Sequence, residues 1–232
     1  MDRRDFLTAG KTKKATPVNP IAFASPTRTL SGINPYTGPW TVNEVIHLLK
    51  RTMFGAKKAD VDFFAAMSMN QAVDALLNVP LAQFTPAPPI KNYANSVDPA
   101  DPDNAIAAGQ TWVNINTNDG SVDSNRTNAY RNWWIGQMVN QNRNILEKMT
   151  LFWHNHFATE TDSIGRAIWC YQNNTVLRKN ALGNFKQFVK EMTTNTGMLR
   201  YQNGYLNTNT APDENYGREL QELFVVGKGA DN

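Results

Sequence analysis

Two of the chain's three histidines stand two residues apart among three large aromatics, in Lys148-Met149-Thr150-Leu151-Phe152-Trp153-His154-Asn155-His156-Phe157. Imidazole titrates near neutrality and ligates transition metals, so this segment concentrates acid/base or metal-binding capacity. What a His-x-His pair can do depends on its backbone. On a strand both rings point the same way and can chelate one ion, whereas on a helix they diverge by about 200°. The spacing of Leu146, Met149, Phe152 and Trp153 predicts a helix over 145–157, with His156 on its apolar face and His154 at the edge of that face. Two readings stay open: a polar active or metal site using at least one of these rings, and a buried, hydrogen-bonded His beside a partly exposed one.

A second polar constellation lies in Asp213-Glu214-Asn215-Tyr216-Gly217-Arg218-Glu219-Leu220-Gln221-Glu222-Leu223-Phe224. Glu214, Arg218 and Glu222 recur at i, i+4 and i+8, with Glu219 beside them. Carboxylates one turn apart can serve as acid and base or as hard metal ligands, or they can form exposed ion pairs. The remaining histidine, His47, shares a helix face with Glu44 and Arg51. That face is a solvated charge stripe unless Phe54, on the same side, marks it as covered. The candidate catalytic residues are therefore His154, His156, Glu219 and Glu222, and the candidates for holding an anionic substrate are Arg51, Arg218 and His47. His154, His156 and Glu219 are candidate metal ligands, a mixed imidazole and carboxylate set that suits Zn, Fe or Mn. No phosphate loop or nucleophile elbow accompanies them, and Cys170, between Trp169 and Tyr171, reads as a small buried thiol.

The elements that must position these residues read as helices. Residues 1–40 form an irregular lead-in containing Pro17, Pro20, Pro26, Pro35 and Pro39. Thr41-Val42-Asn43-Glu44 fits a capping box, and Val42, Val45, Leu48, Leu49 and Met53 fall on one face of a helix that Gly55 stops. Asp60 to Met67 and Asn70 to Leu77 read as two short helices. Pro80, Pro86, Pro88, Pro89, Pro99 and Pro102 then mark a long connection, a wrapping loop or a boundary. A polar, Asn-rich stretch runs from Asn114 to Asn128. Helical signals dominate thereafter: Tyr130 to Asn140, Ile145 to Phe157, Ile164 to Asn180, Phe185 to Thr193 and Pro212 to Val226, the last with Gly227 just past its end. The expected architecture is all-α, an irregular multi-helix domain over 41–232 with long Pro/Asn-rich loops. In it the 41–54, 145–157 and 212–226 helices converge.

Charge and composition narrow the function classes. The formal net charge of +3 resides in the first fourteen residues, where Arg3, Arg4, Lys11, Lys13 and Lys14 outweigh Asp2 and Asp5; the rest balances to zero. Without a basic stripe, nucleic acid is not an expected partner. No window approaches the roughly 20 apolar residues of a transmembrane segment. The start, Asp2-Arg3-Arg4-Asp5-Phe6-Leu7, resembles a twin-arginine export motif, but Thr8-Ala9-Gly10-Lys11 follows where an apolar segment should stand.

Four segments in this order resemble the bacterial family known as domain of unknown function 1800. They are His47-Leu48-Leu49-Lys50-Arg51 through Phe54-Gly55, the Lys148 to Phe157 run, Leu177-Arg178 through Ala181-Leu182-Gly183-Asn184-Phe185, and Glu214-Asn215-Tyr216 through Arg218-Glu219-Leu220-Gln221-Glu222-Leu223-Phe224. Met198-Leu199 with Tyr201 resembles a further segment. The resemblance covers about Thr41 to Gly227 and corresponds to the amino-terminal half of longer members. It implies a mainly helical protein, often exported to the periplasm or beyond and often encoded beside a partner protein of another family. It implies no reaction. The functional expectation divides between an extracytoplasmic enzyme built on the His, Glu and Arg residues above and a non-catalytic helical scaffold that binds a partner protein at the cell envelope.

Overall fold

A computed structural model describes residues 34–117, 119–212 and 214–227; the twin-arginine-like start lies outside them. The chain separates into Met1–Gly38 and Pro39–Asn232, and of the first unit only residues 34–38 are described, without regular structure. The described residues form an all-α fold with no strand. They contain helices α1 (Val42–Thr52), α2 (Lys58–Ala65), α3 (Met69–Leu77), α4 (Gly120–Val139), α5 (Leu146–Phe157), α6 (Thr161–Ile164), α7 (Ala167–Asn180), α8 (Phe185–Thr193), α9 (Thr196–Tyr201) and α10 (Asn215–Phe224). Short 3-10 turns and one isolated antiparallel bridge, Ile90 with Thr111, punctuate the loops.

Helices α1 to α3 form their own core. Val45, Leu49 and Met53 meet Phe64, Ala72 and Leu76, all nearly inaccessible, with Trp40 packed alongside and donating from Nε1 to the Met67 carbonyl at 3.0 Å. The predicted capping box at Thr41 is present, and Ser68 with Gln71 makes a second at α3. Each box satisfies two otherwise orphaned amides at a helix start. Val42, on the apolar face of α1, and Leu77, the last residue of α3, are about half exposed at the ends of this small core.

The remaining helices surround α7, which packs against α4, α5, α6, α8 and α9 and against the turn at Leu81–Phe84. One apolar cluster lies between α5, α7, α8, α9 and α10, where Phe157, Leu177, Phe188, Met192, Met198, Leu220 and Phe224 meet. Another joins α4, α6 and α7 through Ala129, Tyr130, Ile164, Ala167 and Cys170, with Trp112 from the long loop. Thus α5 and α10 come together as expected, while the buried face of α1 belongs to a separate cluster. The link from that region to α5 is local: Lys148 Nζ lies 4.4 Å from the Phe54 ring centroid, and Ile145 N donates to the Leu76 carbonyl.

Two boundaries differ from the sequence expectation. The Asn-rich stretch does not stay irregular through Asn128, because α4 starts at Gly120, where Asp119 accepts from the amides of Ser121 and Val122. Its polar residues are helical because they are paired inside: Arg126 is fully buried and forks onto Asp103, which also accepts the Tyr93 hydroxyl. The predicted 164–180 helix is broken at Gly165, whose φ of 74° is left-handed and separates α6 from α7. The Pro-rich connection wraps rather than divides. Lys91 is buried in it, donating to the carbonyls of Asp103 and Ile106, and the Trp133 indole of α4 donates to the Ala87 carbonyl at 2.7 Å.

Urea denaturation of Phe157→Ala is expected to show a loss of about 3–5 kcal/mol, as for an aromatic removed from a packed core. Removing the exposed Arg51 side chain should change stability by less than about 0.5 kcal/mol.

Candidate functional site

Helix α5 carries the histidines, and its two long sides face different neighbours. Glu147, Thr150 and His154, spaced i, i+3 and i+7, look toward α4 and α7; Trp153, His156 and Phe157 look toward α8 and α10. His154 is half-buried with its ring edge-on to Trp134, centroids 4.9 Å apart. Burial holds its pKa below the ordinary imidazole value, so it is neutral near pH 7.

His156 is half-buried among Trp153, Phe157, Phe185 and Phe224, and its Nε2 lies 2.7 Å from the Phe224 carbonyl oxygen. A carbonyl only accepts, so Nε2 carries the hydrogen and donates. Phe224 closes α10, and its carbonyl has no partner within the helix. The ring therefore caps the end of α10 from the side of α5. The two histidines of the pair thus serve different interfaces, as divergence on a helix requires.

The α10 carboxylates are arranged around Arg218. Its guanidinium lies 3.9 Å from Glu214, 3.8 Å from Glu219 and 3.7 Å from Glu222, and its Nη2 donates to Asn215 Oδ1. These are loose pairs within one half-exposed helix face, each of small energetic weight. His47 and Arg51 are exposed on α1, apart from the cluster that holds α5 and α10. Among the described residues no three His, Cys, Asp or Glu side chains are grouped as metal ligands.

The strongest polar interaction in this region is one that sequence reasoning passed over. Arg178 of α7 forks onto Glu147 of α5: Nη1 pairs with Oε1, and Nη2 donates to Oε2 at 2.9 Å, with side-chain exposures of 1% and 8%. Arg178 also lies over the Trp133 ring at 5.8 Å. Above it on α7, Asn174 and Asn173 are fully enclosed; Asn173 Nδ2 donates to the Thr159 hydroxyl at 2.7 Å. Asn174 lies beside Tyr130 of α4, whose hydroxyl burial pushes far up in pKa. Both side-chain atoms of Asn174, with Asn173 Oδ1, Arg178 Nε and Trp134 Nε1, make no hydrogen bond of good geometry to protein. Burial also pushes the Cys170 thiol up to about 12, which keeps it protonated and unreactive. A polar seam thus runs through the centre of α4, α5 and α7. The signal for it was present in sequence as two stripes, Glu147/Thr150/His154 and Cys170/Asn174/Arg178, which helical periodicity places on one face each.

Fold and site together define an all-helical protein with a buried polar seam, its histidines divided between two helix interfaces. The chain belongs to the family described as protein of unknown function, DUF1800, whose model matches residues 47–231. No curated protein and no solved structure matches it. No described helix is long and apolar enough to cross a membrane.

Chemical denaturation should find Arg178→Met destabilised by about 3–5 kcal/mol, because it strands the Glu147 carboxylate, and the Glu147→Leu/Arg178→Met double variant should recover much of that loss. A separate expectation concerns pH. His154 has a folded pKa below its unfolded one, so stability is full above the unfolded value and falls as pH drops from about 6.5 toward the folded value. Thermal midpoints taken between about pH 7 and pH 5 should decline less in His154→Gln than in the wild type.

Proposed function

We propose that this chain is a helical scaffold that binds a partner protein at the cell envelope, with residues 41–232 acting as one helical unit. The observation that carries this reading is the His156 bond to the Phe224 carbonyl: a histidine of the Lys148 to Phe157 segment joins two helices through backbone. Arg178, of another signature segment, is likewise engaged in a buried pair with Glu147. Buried polar groups bonded between helices are what a structural role requires, and these two residues are so bonded.

The surface next to His156 supplies a docking face. Phe152 is 52% exposed and packs edge-on against Trp153; Trp153 stacks on Phe185, 36% exposed, and Leu182, three residues before Phe185, is 37% exposed. Exposed apolar side chains in one patch, anchored by aromatics held rigid from beneath, are the usual centre of a protein interface. The occupant proposed is the partner protein encoded nearby.

A second reading, an extracytoplasmic enzyme, is favoured by one feature: His154 is neutral and half-buried beside the seam, as a base near pH 7 should be. In that reading His156, Glu219 and Glu222 supply further acid/base groups and Arg218 holds an anionic substrate, while Arg51 and His47 lie apart on α1.

Co-expression with the neighbouring gene product and sedimentation of the purified mixture tests the scaffold. A stable complex is expected, weakened at least about tenfold by Phe152→Ser/Phe185→Ser in a chain whose circular dichroism is unchanged. No complex, or one indifferent to both changes, overturns the docking face. Plasma mass spectrometry of the purified protein separates the second reading: near-stoichiometric metal, lost in folded His154→Ala or His156→Ala, would move the assignment to metal chemistry.

A further inference from the structure

Away from both histidines, a cleft of about 580 Å³ opens between α4 and the segment that runs from α6 to the start of α7. Its volume is that of a site for a small organic molecule, but its lining is polar where such sites are mostly apolar. One wall is the outer stripe of α4: Asp123, Ser124, Thr127, Asn128 and Arg131, spaced so that a single helix face supplies all five. Asp162 of α6 stands across from them and pairs with Arg131 at 2.8 Å.

The two ends of that stripe differ in kind. Asp123 is 7% exposed, and both of its oxygens lie 3.2 Å from the single N–H of Ala167 at the start of α7. One N–H fills a small part of a carboxylate's capacity of about four acceptor positions. Burial raises its pKa, against the partial compensation of the Ala167 amide and of the Arg166 and Arg126 guanidiniums. At the other end the Arg131 and Asp162 side chains are 45% and 80% exposed, so their ion pair is of little weight and exchanges readily with a competing anion. Eight residues of helix separate Asp123 from Arg131, about 12 Å along the axis. Between them stand two hydroxyls and an amide, groups that both donate and accept.

We propose that this cleft binds a hydroxylated carboxylate of sugar-acid type, one or two sugar units long. The ligand carboxylate displaces Asp162 from Arg131, where a guanidinium offers two parallel donors. Ligand hydroxyls donate to Asp123 at the floor and exchange hydrogen bonds with Thr127 and Asn128 along the wall. The site is independent of the aromatic face and of the His156 cap, and no part of it lies in the Lys148 to Phe157 segment.

Isothermal titration of the purified protein near neutral pH tests the proposal, with D-galacturonate, D-glucuronate and digalacturonate as probes and D-galactose and acetate as controls. Saturable binding of at least one acid is expected, weakened roughly tenfold or more by Arg131→Gln and by Asn128→Ala, with neither control binding comparably. Both variants alter exposed side chains, so unchanged thermal midpoints should show that they fold; Asp123→Asn, at a buried position, is informative only if it does the same. No binding of any acid up to about 10 mM overturns the proposal. Equal binding of D-galactose or acetate, or acid binding indifferent to Arg131→Gln, overturns it as well.

Discussion

A buried charge must find its counter-charge, and in this protein that requirement fixes the central helix. Arg178 and Glu147 are both removed from water, and the desolvation of each is offset only while the two-pronged pair stays intact. The pair bolts α7 to α5, and α7 is the helix against which α4, α6, α8 and α9 also lie. Other buried polar groups obey the same constraint. Asp123 meets the first amide of α7, Arg126 forks onto Asp103, and Lys91 finds carbonyls inside the loop that covers α4. Each joins segments far apart in sequence, so the long Pro-rich connection is held by charge pairing as much as by apolar contact.

The histidines take their roles from this frame. Once Glu147 faces α7, the 3.6-residue repeat turns His154 toward α4 and leaves His156 on the flank where α10 ends. The carbonyls of a helix's last turn have no partner within the helix, and an imidazole N–H is well suited to meet one. The aromatic rings around His156 limit water's access to that bond, which makes it worth more than the same bond at the surface. One consequence is that the aromatic residues of the segment divide into two groups: Phe157 is sealed in the core, while Phe152 stays half in water.

Much of the fold was legible in the sequence. Apolar periodicity, the Thr41 capping box and Gly227 after the last helix located most helices within a few residues, because these signals act locally. The Asn-rich start of α4 was not legible. Its polarity looked like solvent exposure, whereas Arg126 and Asp123 are interior and hydrogen-bonded to partners 23 and 44 residues away. The candidate site was legible in part. Sequence placed His154 and His156 on one helix and gave them divergent directions, but not the receptor of either ring, which for His156 is a backbone atom 68 residues away. Glu147 escaped notice for a related reason: on an amphipathic helix a glutamate between Leu146 and Lys148 reads as surface unless its partner is known.

A seam of polar groups at the middle of a helical domain also decides which packing the chain adopts. Apolar helix faces tolerate alternative registers, because one leucine fits against another almost anywhere along a ridge. Sliding α5 by one turn, about 5.4 Å, along α7 would part Glu147 from Arg178 and bury both without partners. The same slip would move the His156 ring off the last carbonyl of α10. Alternatives that the hydrophobic pattern alone leaves close in energy are thereby separated by several broken charged or capped contacts. The cost is a core that packs less apolar surface than it could. The return is a single arrangement of α4, α5, α7 and α10, and it is that arrangement which holds Trp153 beneath Phe152 and Phe185 at the surface.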